Sequence, residues 1–365
     1  MIAALKTFAD RVLGRGDAAI TVPSFDGALK PNQILEGADI VANLGAGEDL
    51  ATDGRCLYVA DGPVVKRLDG GALLDVRRFD RPVTALCVTA GGGLAVALDG
   101  REVRVFATAA GDDAGLAFTG PSLNAVNALS AAPDGTILVA DGSSDQPYSR
   151  WAFDLMERNG SGRLLAIDPA NRSVRVLASG LCYAFGAGAA GDEAFVSESW
   201  RHRVVAVSRN GFVRPVLDNL PAYPSRLSPA PDSGWWLTAF VARTQLVEFV
   251  LREPAFRRRM MAEIDPRFWI VPRLRSGDSF REPMQGAHLK TMGVIKPWAP
   301  PRSYGLVIRM SASGAPLYSL HSRVDGENHG VVAAVEAGDS LYVLAKGPGR
   351  LLRLPLDRIR QELGA

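Results

Sequence analysis

Apolar positions in this chain fall into short runs, each preceded by a tight polar turn, and helical spacing is confined to a few segments. One phrase recurs six times. Its clear copies are Ala51-Thr-Asp-Gly-Arg-Cys-Leu-Tyr-Val-Ala-Asp-Gly62, Thr89-Ala-Gly-Gly-Gly-Leu-Ala-Val-Ala-Leu-Asp-Gly100 and Ala131-Ala-Pro-Asp-Gly-Thr-Ile-Leu-Val-Ala-Asp-Gly142. Weaker copies begin at Ala190, Pro231 and Ala337. Each copy reads as a hairpin entering a buried strand. Successive copies lie about 40 residues apart, the length of a four-stranded blade. The exceptions are Asp134 to Asp192 and Asp232 to Asp339, which therefore carry insertions.

The pattern predicts an all-β chain, a six-bladed β-propeller. Second apolar segments such as Val64–Leu68, Arg163–Ile167 and Arg350–Leu354 supply the outer part of each blade. Little chain remains after Leu354, and an unpaired apolar stretch, Ala38–Leu44, precedes the first copy. That stretch is expected to complete the last blade and close the ring. The predicted organisation is an amphipathic helix and lead-in over 1–34, one propeller over 35–356 with a partly helical fifth-blade insertion at about 241–302, and a tail over 357–365.

Composition agrees with this reading. The 365 residues exceed a usual single core, but a ring of blades grows by repetition. A net charge of +2 with no basic run interleaved with aromatics argues against nucleic acid. No uncharged apolar run is long enough to span a membrane. Cys56, Cys87 and Cys182, an odd count beside apolar neighbours, read as reduced thiols in a cytoplasmic protein. Gly-x-Ser-x-Gly, phosphate-loop, paired-cysteine and His-Glu-x-x-His motifs are all absent from the sequence.

From Tyr148 onward the chain resembles the strictosidine synthase-like family, six-bladed propellers related to gluconolactonase-type and paraoxonase-type lactonases. The resemblance rests on Gly162-Arg-Leu-Leu-Ala-Ile-Asp-Pro169, Leu217-Asp-Asn-Leu-Pro221 with Gly234-Trp-Trp236, Ser303-Tyr-Gly-Leu-Val307 and Val335-Glu-Ala-Gly-Asp-Ser-Leu-Tyr342. It implies an active site at one mouth of the channel, on residues a few positions before each hairpin turn. In the lactonases the mouth holds Ca²⁺, and Glu48 and Asn127 resemble two of its ligands. Phe185, Ser225 and Arg226 stand where relatives place further oxygens, so the cage reads as incomplete and calcium is disfavoured. The resemblance also implies Glu336 as the general base of a metal-free synthase-type catalyst. His329, in the loop before the last inner strand, is a candidate proton carrier. His202 and His321 read as structural, and His288 belongs to the insertion.

The insertion combines a helical, arginine-rich stretch, 249–261, with proline-broken aromatic segments. It is expected to form a lid, with Trp269 and Trp298 as substrate-binding walls. Weak peripheral membrane contact through 249–261 is the other use of its basic side. The leading expectation is a hydrolase of a small ester, lactone or related cyclic bond. Its acid and base groups would be Glu336, Glu48 and His329, and its pocket would be shaped by Asn127, Phe185, Ser225 and Arg226. A metal-free C–N or C–C bond catalyst using Glu336, and a non-catalytic propeller binding a ligand or protein, remain open beside it.

Overall fold

The structure, a computed structural model, describes residues 22–275, 282, 290–291, 294–295, 303–322 and 326–364. The stretch read as an N-terminal helix, His288 and Trp298 lie outside the described residues. Six four-stranded antiparallel sheets follow one another around a ring. Their innermost strands are Gly47–Thr52, Val83–Val88, Val126–Ala131, Ala184–Ala190, Ala222–Pro229 and Val331–Ala337, in blades one to six. In the sixth blade Asp39–Asn43 pairs antiparallel with Arg350–Pro355, bringing together strands from opposite ends of the described chain. Arg353 and Asp39 add an ion pair of 3.1 Å along that seam.

The burial pattern explains why the apolar runs are continuous rather than alternating. Second strands such as Leu94–Leu98 and Trp235–Ala242 are buried on both faces, because each blade is covered by its two neighbours. The outer strand Ala72–Arg78 is mostly accessible, Leu74 included. Core clusters therefore lie between blades. Trp236, Val307 and Leu320 of blade five, for example, pack on Val331, Leu341 and Val343 of blade six.

Two features of the repeated phrase have local physical causes. Every hairpin between first and second strands contains a residue with positive φ, namely Gly54, Gly92, Gly135, Gly191, Ser233 and Gly338. Only Ser233, with φ 68°, places a side chain in that left-handed region. Ser233→Gly is expected to raise stability by about 0.5–1 kcal/mol, read as a higher Tm. A lower Tm would refute the backbone argument.

In blades one, three and four, the acid that ends the phrase fastens the loop into the blade. Asp61 accepts the Ala46 amide at 2.7 Å and the Lys66 ammonium at 2.7 Å. Asp141 accepts the Ala125 amide at 2.6 Å and Arg163 Nε at 3.0 Å. In blade four Glu198 repeats this with the Cys182 amide at 2.8 Å and Arg203. Each carboxylate thus fixes the approach to an innermost strand, which is where the site is built.

Among the described residues, four α-helices decorate the ring. Helix α1, Trp151–Glu157, lies in the long connection of blade three; α2, Gln245–Arg252, and α3, Pro254–Glu263, lie in the fifth-blade insertion; α4, Leu356–Leu363, follows the last strand. Leu155 and Met156 of α1 pack against Val250, Met260, Trp269 and Val271, joining the two insertions into one cap. Cys56, Cys87 and Cys182 are free thiols. Among the described residues, no helix is long and apolar enough to cross a membrane.

Candidate functional site at the channel mouth

Each innermost strand begins with a break in its ladder. The register shifts between Gly47 and Asp49, Val83 and Ala85, Val126 and Ala128, Ala184 and Ala187, and Val331 and Ala333. Such bulges release one residue from pairing and re-aim its side chain. The released residues are Glu48, Thr84, Asn127, Phe185 and Val332. In blade five the break runs from Tyr223 to Leu227 and frees Ser225 and Arg226.

Glu48, Asn127, Phe185 and Val332 line a cavity of about 210 Å³ at the mouth. Its remaining wall is largely aromatic, with Tyr148, Trp151, Tyr183, Trp200 and Phe240, and the insertion adds Pro272 and Leu274. The rings support one another: Tyr183 stacks on Trp200 at 4.3 Å, and Phe185 and Phe240 lie 5.9 Å apart. The Trp200 indole N–H donates to Asp154 of α1 at 2.8 Å, tying the wall to the cap.

Glu48 is the acid of this cavity. The Tyr148 hydroxyl donates to its Oε1, and the Lys346 ammonium lies 2.5 Å from its Oε2. Burial, followed by the charge of Glu48, holds the Tyr148 hydroxyl well above its ordinary pKa, so the phenol keeps its proton at neutral pH. Asn127, fully buried, donates through Nδ2 to the Ala184 carbonyl at 2.8 Å and is 3.5 Å from the Tyr183 hydroxyl.

Beneath this floor, Arg226 crosses the channel. It is 5% exposed, and its guanidinium donates to the carbonyls of Glu48 at 2.9 Å, Thr84 at 2.8 Å and Val332 at 3.5 Å. These are three of the carbonyls freed by the bulges. Asp49 lies 3.0 Å from Arg226 Nε and accepts the Leu50 and Leu86 amides, each at 2.8 Å. Burial is the largest influence on Asp49 and, despite Arg226, pushes its carboxyl up to about 6.

Glu48 and Asn127, read from sequence as residual calcium ligands, are engaged by other groups in this structure. Calcium requires six to eight oxygens. Here Glu48 is held by a phenol and an ammonium, Asn127 turns its amide nitrogen to a carbonyl, and a guanidinium takes the strand carbonyls. Among the described residues, no cluster of three or more His, Cys, Asp or Glu side chains is arranged to hold a metal.

Other candidates lie apart from the cavity. Glu336 sits near the far end of the strand that begins at Val331, about 13 Å along it from Val332. It accepts the Trp236 indole N–H at 3.1 Å, so the structure separates it from Glu48. Glu336→Ala is expected to leave turnover at the mouth unchanged while costing about 1–3 kcal/mol through the abandoned Trp236 donor. A large loss of kcat/KM at unchanged Tm would return Glu336 to the chemistry. Ser225 is internal, with its hydroxyl 2.7 Å from that of Thr238. His329 lies behind the wall, with Nδ1 bonded to Ser303 and 3.1 Å from the Leu274 carbonyl, where it steadies the insertion. Trp269 is buried within the cap, its indole donating to the Ile264 carbonyl at 2.8 Å and its ring 4.6 Å from Phe153, so it supports the wall from behind.

Glu248 anchors the cap to the ring. It receives Arg243 at 3.0 Å, His202 at 3.3 Å and Arg252 at 3.5 Å. Burial pushes its carboxyl up, but the bonds and charges of His202 and Arg243 outweigh this and bring it down to about 2. The stabilisation is therefore complete above the ordinary value of 4.5 and is lost as pH falls toward 2. Glu248→Gln is expected to cost about 2–3 kcal/mol at pH 6, with the gap from the parent closing as the pH is lowered. A gap constant from pH 6 to pH 2.5 would refute the linkage.

Sequence reasoning missed Tyr148, Lys346, Tyr183, Trp200 and Phe240. Lys346 had a usable signal. Its amide donates to the Gly330 carbonyl as those of Gly62 and Gly142 donate to Ala46 and Ala125, so it occupies the glycine position of the repeated phrase. Tyr148 and Trp151 lie in the excess length of the third blade, also visible as a long gap.

A family model described as strictosidine synthase matches residues 127–205. Adipocyte plasma membrane-associated protein of Homo sapiens is 27% identical over 305 residues, spanning 71% of this chain and 72% of that protein. Protein STRICTOSIDINE SYNTHASE-LIKE 6 of Arabidopsis thaliana is 26% identical over 135 residues, 36% of each chain. Among solved structures, a gluconolactonase from Xanthomonas campestris superposes with TM-score 0.54 at 14% identity, covering 92% of this chain and 95% of the other. A luciferin-regenerating enzyme gives TM-score 0.51 at 14% identity, covering 88% and 93%. At these identities the structural likeness is one of fold. The chain is thus a six-bladed propeller, similar over residues 127–205 to strictosidine synthase and in fold to gluconolactonase-type structures.

Proposed function

We propose that this protein is a metal-free hydrolase of small, uncharged esters or lactones, with Glu48 as general base. The observation that carries this reading is one carboxylate held between a phenol and an ammonium at a largely aromatic cavity. Glu48 takes a proton from a water molecule in the cavity, and the water oxygen attacks the carbonyl carbon. The C–O bond to the leaving alcohol breaks, and the departing oxygen receives the proton from Glu48. Lys346 and Tyr148 turn their donors to the carbonyl oxygen as negative charge gathers there. The aromatic wall excludes water and favours a flat, uncharged acyl or alkyl group. The cap of α1 to α3 serves as the lid, and the free cysteines favour a reducing, cytoplasmic setting.

Assay of a panel of aryl esters and lactones, with and without chelator, tests this. Turnover that survives chelation is expected. Chelator-abolished turnover restored by calcium would overturn the metal-free reading. A ligand that binds the mouth while the whole panel is recovered unchanged would favour a binding propeller.

A further inference from the structure

A second cavity, of about 740 Å³, lies between the rim of blades four and five and helices α1 and α2. It shares the Trp200 indole with the mouth, but Glu48, Tyr148 and Lys346 are not part of it. Five arginines line it, Arg158, Arg201, Arg203, Arg243 and Arg252, against two acids, Asp218 and Glu248. Glu248 is already committed to Arg243, Arg252 and His202. Arg203 is held by Glu198, whose carboxylate also takes the Cys182 amide. Arg158 ends α1 in the left-handed conformation, with φ 59°, and its exposed guanidinium makes no ion pair among the described residues.

Glu248 and Glu198 offset three of the five arginines, while Arg158 brings a further positive charge to the basin, where a guanidinium cluster attracts anions. Of the basin's arginines, Arg158 also acts on a neighbour outside it. Arg257 of α3 is lowered from its ordinary pKa by burial and then by the positive charges of Arg158 and Arg258. Guanidinium forks around a concave space suit a ligand with several oxyanion groups, each able to take paired N–H donors.

We propose that this basin binds a small multivalent oxyanion, of the diphosphate or polycarboxylate class. The site is separate from the hydrolytic reading of the mouth and stands or falls without it. Trp200, shared by the two cavities, gives it an optical reporter.

The test is titration of the full chain with pyrophosphate, citrate and acetate at fixed ionic strength, followed by calorimetry and tryptophan fluorescence. Saturable binding of pyrophosphate or citrate with one site per chain is expected, with acetate at least tenfold weaker. Tighter binding of pyrophosphate assigns phosphate chemistry, and tighter binding of citrate assigns carboxylate chemistry. Arg158→Asn, which keeps a residue tolerant of the left-handed conformation, combined with Arg252→Gln, is expected to weaken binding at least tenfold. Arg209→Gln, at an exposed pair with Asp192 elsewhere on blade four, is expected to leave it unchanged. Trp200→Phe should remove the optical signal and keep the calorimetric heat. Equal binding by the double variant with parental Tm, equal affinity for acetate, or no saturable binding by the parent chain would each overturn the proposal.

Discussion

Glu48→Gln is expected to reduce ester or lactone turnover by about 10²–10⁴-fold, the range that positioned general-base catalysis supplies. Glutamine keeps an oxygen to accept from Tyr148 or Lys346 but cannot take a proton at neutral pH. The loss should therefore fall on kcat, with KM changing little. Tm is expected to stay close to the parent value, because Glu48 lies at the edge of a cavity rather than within an inter-blade core. Retained turnover in Glu48→Gln, for a substrate that competes with a mouth ligand, would remove Glu48 as the base. Tyr148→Phe provides a graded comparison, since it deletes a donor while leaving the base in place.

Arg226→Met is expected to be the most damaging single change to stability, costing about 3–5 kcal/mol. It withdraws donors from the carbonyls of Glu48, Thr84 and Val332 and leaves Asp49 buried without its cation. For a chain of this length, the cost corresponds to a fall in Tm of about 4–7 °C. Because the remaining carboxyl can be neutralised, Asp49→Asn in the same chain should return part of the loss, giving a favourable coupling in a double-mutant cycle. Strict additivity of the two changes would show that Asp49 and Arg226 do not act as a pair. Thermal unfolding at two pH values adds a further check. Asp49 is raised to about 6, so its ionised form is a cost of folding. In the parent chain the stability contributed through Asp49 is greatest below its ordinary value of 3.8 and declines as pH rises through about 6.

The scaffold was legible because its instructions are local. An Asp/Gly turn with positive φ followed by a buried run defines a hairpin without reference to the rest of the chain, and six such hairpins at one spacing define the ring. Glu48, Asn127 and Phe185 were legible for the same reason, since a fixed offset from each turn selects the bulge residue. Glu336 is a different case, because a sequence motif does not measure distance along a strand. Its position beyond the middle of Val331–Ala337 carries it away from the mouth. Arg226 could be read as a positive charge near the ligand, but not as a guanidinium collecting carbonyls from three other blades, which depends on contacts remote in sequence. Trp269 was read as a wall because aromatic residues in a long insertion suggest a lid. Its burial beside α1 is a tertiary outcome that no local pattern encodes.

The seam of the sixth blade also sets the order of events during synthesis. Asp39–Asn43 leaves the ribosome early, but its partner Arg350–Pro355 arrives only after some 300 further residues, roughly 15–60 s later at ordinary elongation rates. Until then the nascent chain carries an unmated β-strand at one end and a growing row of finished blades at the other. Blades one to five can assemble in chain order, whereas ring closure must await the last strands. Closure is therefore the slow step to look for in refolding, and the waiting strand is the segment a chaperone would have most reason to shield.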